Sequence, residues 1–343
     1  MDSRGSMLVG SVPAADAKAA MELATDALGP YLRWLPDGET GPRSRWIVNV
    51  IENLRTHPSF RLTKEGNWTD YTDRPEFKLR REVPLDPATL DLGTHTAYRE
   101  SRPAFDAIRE ATDRPDLRFQ IGLPSAFDLA LFAFGPKGAL RHRRPFRDAL
   151  AGQVAAIAAE ASDDVVFQIE IPAELVFAVK TPGPLRPLVI AAMSRFAVEV
   201  AAAAPAKTTW GIHLCLGDLG HKALAGMSSC APLTALANAI ARRWPAGRTL
   251  AYMHLPMCEG DHPAPIDPRF YAPLARLRVP AGCRIAAGFV HESAPKHDLL
   301  ATLALIETAL GARVDIAASC GLGRRSPQDA AAILERSRTL CEA

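Results

Sequence analysis

Residues 208–218 read TTWGIHLCLGD, an apolar segment that carries a histidine and a cysteine two positions apart. Side chains alternate between the two faces of a β-strand, so His213 and Cys215 are predicted to point to the same side. A second strand-like segment, 313–320, also ends in a cysteine, Cys320, and a glycine follows it that allows a sharp turn. The two segments predict strand ends that hold an imidazole and two thiols.

Six further segments are short and apolar, and helical segments separate them. They span 7–12, 31–36, 118–122, 165–170, 250–254 and 284–290. The predicted helices include 14–28, 98–112, 143–161, 184–204, 232–243, 267–277 and 327–341. Apolar strands that alternate with helices are typical of a parallel sheet covered on both faces. The count of eight strands favours a closed (β/α)8 TIM barrel, an α/β fold, over an open sheet.

Residues 42–97 fit this alternation poorly, because Pro, Trp and charged residues are mixed without a clear period. We interpret the segment as a long excursion after the second strand, with one helix near 44–55. A chain of 343 residues could hold two average domains or one barrel with insertions. We predict a single TIM-barrel domain over 1–343, with the insertion at about 42–97.

The composition argues against two classes of partner. The 40 Lys and Arg residues and 38 Asp and Glu residues give a net charge of +2, so no overall field attracts nucleic acid or an anionic membrane. No apolar run reaches the roughly 18 residues of a membrane helix, and the N-terminus lacks a secretory apolar region. We therefore expect a cytoplasmic protein with no nucleic-acid or membrane partner. Its six scattered cysteines are expected to be thiols.

In TIM barrels the active site lies at the carboxyl ends of the strands. Eight polar or thiol side chains fall at such ends: Ser11, Glu39, Glu170, His213, Cys215, His254, His291 and Cys320. Imidazole and thiolate ligands with one position left for substrate are typical of catalytic zinc sites. Core packing is the commoner role of a cysteine in a strand. The placement of all eight side chains at one end favours a shared zinc site.

The motifs around these residues resemble those of the catalytic barrel of cobalamin-independent methionine synthase and its single-domain relatives, within the uroporphyrinogen-decarboxylase-like superfamily. That family has His-x-Cys and then an acid after strand five, matched by 213–218, and Cys-Gly-Leu and then basic residues after strand eight, matched by 320–325. Its Gly-Ser-x-Pro and Gly-Glu segments, after strands one and two, are matched by 10–13 and 38–39. The matches keep their order along nearly the whole chain.

The resemblance implies one zinc ion with three ligands, which are His213, Cys215 and Cys320. It also implies that a small thiol or amino-acid-like substrate binds beside the metal. The residues implied around the amino-acid part of that substrate are Ser11, Glu39 and Glu170. Glu170 stands where the family has an aspartate that grips the substrate amino group. The activity implied is transfer of a methyl group to the substrate sulfur.

The chain departs from the family at several points. After strand four it has Glu170-Ile171-Pro172-Ala173 where the family has Asp-Glu-Pro-Ala. The family's fourth metal ligand, a glutamate after strand six, is matched by His254, with Glu259 a few residues on. We predict His254 as the fourth ligand; the alternatives are Glu259, a water, or His254 as a hydrogen-bond partner of substrate. The N-terminal half of the long synthases, which helps bind folate, has no match in this sequence. The identity of the methyl donor, a folate or a corrinoid, is therefore left undecided.

Transfer of an alkyl group to sulfur also needs an acid for the leaving group. His291 follows strand seven, where the family carries an Asp-x-His general acid, and we predict it as that acid or as a partner that orients a ligand. Glu170 and His291 are the predicted catalytic residues. We predict a zinc-dependent methyltransferase that acts on a thiol. The alternatives are other zinc-dependent C–S or C–C chemistry (alkyl transfer, a lyase or a decarboxylase-like reaction), a non-catalytic zinc- or thiol-binding protein, and a barrel whose cysteines bind nothing.

Overall fold

The computed structural model describes residues 3–70, 73–218 and 220–343. Within these ranges, eight parallel strands form a nearly closed barrel surrounded by helices, which confirms the predicted TIM barrel. The barrel strands are β1 (Ser6–Met7), β2 (Trp34–Pro36), β5 (Arg118–Pro124), β6 (Val165–Ile171), β7 (Thr209–Leu214), β8 (Thr249–Pro256), β9 (Arg284–Val290) and β10 (Asp315–Ala318). Two further strands, β3 (Phe60–Lys64) and β4 (Glu76–Leu79), form a separate pair. The assignment of 1–343 to a single domain stays a prediction.

The helices cover the outside of the barrel. They are α1 (Ala17–Leu28), α2 (Trp46–Asn53), α3 (Thr94–Ala111), α4 (Ala126–Glu160), α5 (Pro172–Lys180), α6 (Arg186–Ala197), α7 (Glu199–Ala203), α8 (Ala231–Arg243), α9 (Pro268–Tyr271), α10 (Lys296–Leu310) and α11 (Pro327–Glu342). Among the helices of the described residues, none has the length and apolar character needed to cross a membrane.

The barrel strands follow the order β1-β10-β9-β8-β7-β6-β5-β2 around the circle. A parallel bridge between Ser6 and Leu32 brings β1 back beside the chain that leads into β2. Because the paired strands all run parallel, their carboxyl ends lie at one rim. Side chains that follow different strands therefore meet at that rim, where TIM barrels hold their active sites.

A packed layer of side chains fills the barrel below this rim. The rings of Trp34 and Tyr252 lie with their centroids 4.4 Å apart, and the Tyr252 hydroxyl donates to Gln168 Oε1 at 3.0 Å. Gly211 is the partner of Tyr252 in the register of β7 and β8. A Cβ on Gly211 would lie 2.0 Å from the Tyr252 ring, so this position requires glycine. The layer forms the floor of the site above it.

Strand β1 is shorter than the predicted strand 7–12. It pairs with β10 over only two residues, and side chains bind the chain beyond that point. Gln120 Nε2 donates to the carbonyl oxygens of Leu8 (2.9 Å) and Val9 (2.7 Å), and Gln168 Nε2 donates to Val9 as well (2.7 Å). Two buried glutamines thus replace ladder hydrogen bonds and fix the course of the chain towards the rim.

Helix α4 is longer than the predicted helix 143–161. Its N-terminal half was missed because Gly135 and Pro136 interrupt the helical pattern of the sequence. Gly135 has φ 71° and ψ 178°, so the two halves of α4 meet at a kink. The helix begins after Ser125, whose Oγ accepts a hydrogen bond from the amide of Asp128 at 2.9 Å.

The excursion between β2 and α3 contains α2 and an antiparallel hairpin of β3 and β4, where the sequence predicted one helix near 44–55. The Phe60 ring stacks on Phe134 of α4 with centroids 5.7 Å apart and meets Phe77 edge-on at 6.1 Å. Aromatic packing therefore fixes the hairpin to the side of the barrel. Helix α2 then lies over the rim, with its first residue, Trp46, beside the site.

Candidate active site

Three of the predicted site residues occupy one level of the barrel. Glu170 on β6 is the register partner of His213 on β7, and His213 is in turn the partner of His254 on β8. Register partners on neighbouring parallel strands point to the same face. The packing of the preceding inward layer therefore dictates that these three side chains point into the barrel at its carboxyl rim.

His213, Cys215 and Cys320 form a cluster whose ligand atoms all lie within 4.8 Å of one another. The two Sγ atoms are 3.6 Å apart, and Cys320 Sγ is 3.8 Å from His213 Nε2. In a tetrahedral zinc site with Zn–S bonds of about 2.3 Å and Zn–N bonds of about 2.0 Å, two sulfurs lie about 3.8 Å apart and a sulfur and a nitrogen lie about 3.5 Å apart. The spacing of the three side chains thus fits a zinc ion.

The surroundings of the two thiols also suit a cation. The pKa of Cys320 is raised well above its ordinary value by its hydrogen bond with Cys215 and by burial. Gly217 donates its amide proton to Cys215 Sγ at 3.3 Å. All six cysteines are unbridged thiols. Two adjacent buried thiols ionise together only when a positive charge lies between them, and a metal ion supplies that charge.

Glu39 and Glu170 bring two carboxyl groups into the same space. A Cβ on Gly122 would lie 2.9 Å from an oxygen of Glu39 and 3.1 Å from an oxygen of Glu170, so both carboxyls depend on this glycine. Burial raises the pKa of Glu39 to about 7. Burial and the neighbouring Glu39 charge raise the pKa of Glu170 well above its ordinary value. The pair therefore favours either a shared proton or a bound cation between the groups.

A tight turn after β2 aims Glu39 at this space. Glu39 has φ 45°, in the left-handed region, and its amide donates to Asp37 Oδ1 at 3.0 Å. Asp37 is held by Arg43, which donates to Oδ1 at 3.0 Å, and by Ser101 Oγ at 2.9 Å from Oδ2. A non-glycine residue in this conformation is strained, and surrounding contacts must hold it. The conformation places the carboxyl beside Gly10.

A cavity of about 70 Å³ joins the carboxyl pair to the thiols. Its polar walls are Ser11, Glu39, Asp128, Glu170, Asp218 and Arg324, together with Cys215 and Cys320. Ser11 is buried there, and its carbonyl accepts from the amide of Leu322 at 2.7 Å. A Cβ on Gly321 would lie 2.2 Å from Ser11 Oγ, so the Cys-Gly-Leu segment needs its glycine to close against Ser11.

The structure places the other predicted residues beside the cavity and not in its walls. Both ring nitrogens of His291 have protein partners: Nδ1 lies 2.8 Å from Ser293 Oγ and Nε2 lies 3.0 Å from the carbonyl of Gly260. Of the two roles predicted for His291, this geometry favours the supporting one. Glu259 groups with Asp261 and His262 near the surface, apart from the two thiols.

His254 is fully buried next to His213. The two Nδ1 atoms are 2.8 Å apart, and His254 Nε2 is 2.8 Å from the carbonyl oxygen of Ala318. Both ring nitrogens thus contact protein atoms, and His254 lies outside the three-residue cluster of possible metal ligands. The predicted role of His254 as fourth ligand finds no support in this geometry.

Asp128 and Glu174 form a second carboxyl pair that the sequence analysis missed. Both are buried, and among the described residues neither carboxyl oxygen of Glu174 has a hydrogen-bond partner. Burial raises the pKa of Asp128 to about 7 and that of Glu174 well above its ordinary value. The raised pKa values favour one proton shared by the pair, whose member Asp128 lines the cavity. Ser125-x-x-Asp128 is a sequence signal that could have located Asp128 at a helix start, but it carries no information on Glu174.

This pair makes a pH prediction. A carboxyl whose pKa is raised from 3.8 to about 7 by folding favours the folded state below pH 3.8, and that contribution is lost as the pH rises through 7. Between these pH values the free energy of unfolding of the wild type should therefore decrease. We expect this decrease to be smaller in Asp128→Asn, by up to about 4 kcal/mol. Urea unfolding at several pH values measures it, with exposed Asp163→Asn as the control. Parallel pH profiles for wild type and Asp128→Asn would contradict the shared proton.

A second, larger cavity of about 290 Å³ adjoins the first. The two share Glu39 and Trp46 as walls. Tyr98 and Phe119 add aromatic surface to the larger one, and it is lined by residues of the excursion and of α3. Two connected cavities give the rim space for two reactants.

The fold is similar to those of several solved structures. A B12-independent methionine synthase from a Shewanella species, in complex with selenomethionine, matches with a TM-score of 0.63 at 15% identity, over 99% of this chain and 97% of that chain. A putative vitamin-B12-independent methionine synthase from Listeria monocytogenes gives 0.58 at 13% identity, over 99% and 98%. A methyltransferase from Methanosarcina mazei gives 0.52 at 13% identity, over 100% and 95%.

No protein-family model and no curated protein sequence matches the chain. At identities of 13–15% the structural likeness establishes the fold. The resemblance to the methionine synthase barrel, predicted from short motifs, is therefore confirmed as a relationship of fold over almost the full chain.

Proposed function

We propose that the protein is a zinc-dependent transferase that methylates the sulfur of a small thiol with an amino-acid-like backbone. The observation that carries the proposal is the cluster of His213, Cys215 and Cys320, whose two cysteines line the same cavity as Glu39 and Glu170. The zinc ion, held by the first three residues, would lower the pKa of a substrate thiol while leaving its sulfur nucleophilic.

The carboxyl pair provides recognition of a substrate amino group. Without a ligand, the raised pKa values of Glu39 and Glu170 mean that the pair keeps a proton. A substrate ammonium group would take the place of this proton and contact both carboxylates. Arg324, in the wall of the same cavity, and the amide of Gly323, which approaches Ser11 Oγ at 3.3 Å, lie where a substrate carboxylate would find donors.

The larger cavity is the proposed place of the methyl donor. It touches the first cavity at Glu39 and Trp46, so a donor bound there would approach the substrate sulfur from the excursion side. Holding both reactants in adjoining cavities supplies the proximity that group transfer requires. The Shewanella relative, solved with selenomethionine, supports an amino acid with a methylated chalcogen as the product class.

Matched ligands test this assignment. We expect the zinc-loaded protein to bind homocysteine at least about 10-fold more tightly than homoserine, which lacks the sulfur, and than 4-mercaptobutanoate, which lacks the amino group. Isothermal calorimetry measures the affinities. Equal binding of homocysteine and homoserine would contradict thiol recognition. The bound thiol is then incubated with methyltetrahydrofolate or methylcobalamin as methyl donor, and mass spectrometry detects its methylation. A methylated product distinguishes a transferase from a protein that only binds thiols.

A further inference from the structure

His254 stands where a fourth metal ligand was predicted, yet its ring is held by two other groups. Its Nε2 lies 2.8 Å from the carbonyl oxygen of Ala318, and its Nδ1 lies 2.8 Å from Nδ1 of His213. A Cβ on Gly288 would lie 2.7 Å from His254 Nε2 and 2.9 Å from the Ala318 oxygen, so a glycine is needed for this hydrogen bond to form.

The hydrogen-bond partners assign the proton on each ring. A carbonyl oxygen only accepts, so Nε2 of His254 carries the proton that bonds to Ala318. The two Nδ1 atoms are 2.8 Å apart, so one of them donates and the other accepts, and the thiol of Cys320, 3.8 Å from Nε2 of His213, is placed to donate to that nitrogen. Nδ1 of His213 must then carry a proton and donate it to His254. The remaining nitrogen of a neutral His213, Nε2, presents its lone pair towards Cys320, 3.8 Å away.

We infer that His254 is a positioning residue, which fixes His213 as the Nδ1-protonated tautomer so that its Nε2 lone pair faces the two thiols. The inference rests on the proposed function only in taking the metal to be zinc; the tautomer of His213 does not depend on it. A metal ligand whose second ring nitrogen donates a hydrogen bond keeps its orientation and gains basicity. Here a neutral imidazole takes the accepting role that a carboxylate or a backbone carbonyl often has.

This arrangement has a consequence for the metal site. A ligand set of one neutral imidazole and two thiolates leaves a dipositive ion with no net charge. A carboxylate as fourth ligand would make the set negative. The fourth position is then left for the substrate sulfur, in place of a protein side chain.

The first test uses the metal-free wild-type protein. With 15N-labelled histidine, two-bond 1H–15N correlation spectra distinguish the two neutral tautomers, and the His213 signals are assigned by their loss in His213→Gln. We expect His213 to be protonated on Nδ1 and His254 on Nε2. The opposite tautomer at His213 would overturn the inference whether or not the protein is a transferase. The measurement needs neither zinc nor substrate. The tautomer of His213 can therefore be determined even if the proposed function is wrong.

The second test uses two variants and zinc affinity. His254→Gln keeps an oxygen that accepts from His213 and an amide that donates to Ala318, whereas His254→Leu removes both. We expect zinc affinity, measured by chelator competition, to fall about 10- to 100-fold in His254→Leu and to stay within about 3-fold in His254→Gln. Met253→Leu, on the same strand, controls for repacking of β8. Equal affinities of wild type and His254→Leu would overturn the inference.

X-ray absorption spectroscopy on the zinc-loaded protein identifies the atoms bound to zinc and so tests whether His254 is a ligand. We expect one imidazole nitrogen and two sulfurs, with a light oxygen ligand that is replaced by a third sulfur when homocysteine is added. Two imidazole nitrogens beside two sulfurs would overturn the inference, because His254 would then be a ligand.

Discussion

Replacing Cys320 by serine is expected to abolish stoichiometric zinc binding while the barrel stays folded. Wild-type protein should bind about one zinc per chain, because the three side chains match the spacing of a tetrahedral site. Loss of a hydrogen-bond partner of a metal ligand typically weakens metal binding by roughly 10- to 100-fold. Loss of a thiolate ligand itself should weaken zinc binding by more than this. Metal analysis after chelator competition measures the affinity, and thermal unfolding checks the fold.

Cys258→Ser is the matched control for this experiment. Cys258 is buried and lies near the same rim, but its thiol contacts the carbonyl of Gly288 at 3.6 Å and is outside the cluster. It should keep its zinc. Cys215→Ser should behave like Cys320→Ser. Full zinc occupancy in both of these variants would show that the thiols do not hold the metal, and the proposed function would fall with it.

The fold was predictable because its determinants are local. Each barrel strand is a short apolar run, as expected of a parallel strand that is buried on both faces. Strand β9 occupies 284–290, the range predicted from the sequence. Strand alternation also placed His213 and Cys215 on one side, since that relation depends on a separation of two residues.

Other parts of the fold depend on partners far away in the sequence. Strand β1 ends early because Gln120 and Gln168 bond to its continuation. The ring of Trp34 packs on Tyr252, which lies far away in the sequence, inside the barrel. Local periodicity carries no information on such contacts, because they depend on which strands become neighbours.

The sequence predicted which residues lie near one another at the site, but not the contacts that each of them makes. The convergence of Glu39, Glu170 and the two thiols on one cavity agrees with the expectation of a shared site at the strand ends. The arrangement at His254 depends on a single carbonyl and on the absence of a side chain at Gly288. The residue types on β8 and β9 are the same whether the histidine faces a metal, a substrate or another histidine.

Replacing Glu170 by glutamine is expected to separate substrate recognition from metal binding. Glutamine has almost the same size and keeps a carbonyl oxygen near Gln168, whose Nε2 lies 3.3 Å from Glu170 Oε1 in the native protein. It lacks the negative charge that a substrate ammonium group needs. A hydrogen bond to a charged group contributes about 1.5–3 kcal/mol, so homocysteine affinity should fall about 10- to 150-fold. Calorimetry with the zinc-loaded variant measures the loss.

The desamino ligand 4-mercaptobutanoate is the control, because it has no group for Glu170 to contact. Its affinity should change by less than about 3-fold in Glu170→Gln, and so should the affinity for zinc. Glu170 is the register partner of His213, so a direct effect on the metal site is the competing explanation. In that case zinc and both thiols would be lost together, and Glu170 would belong to the metal surroundings. Selective loss of the ligand that carries an amino group would instead assign the carboxyl pair to substrate recognition.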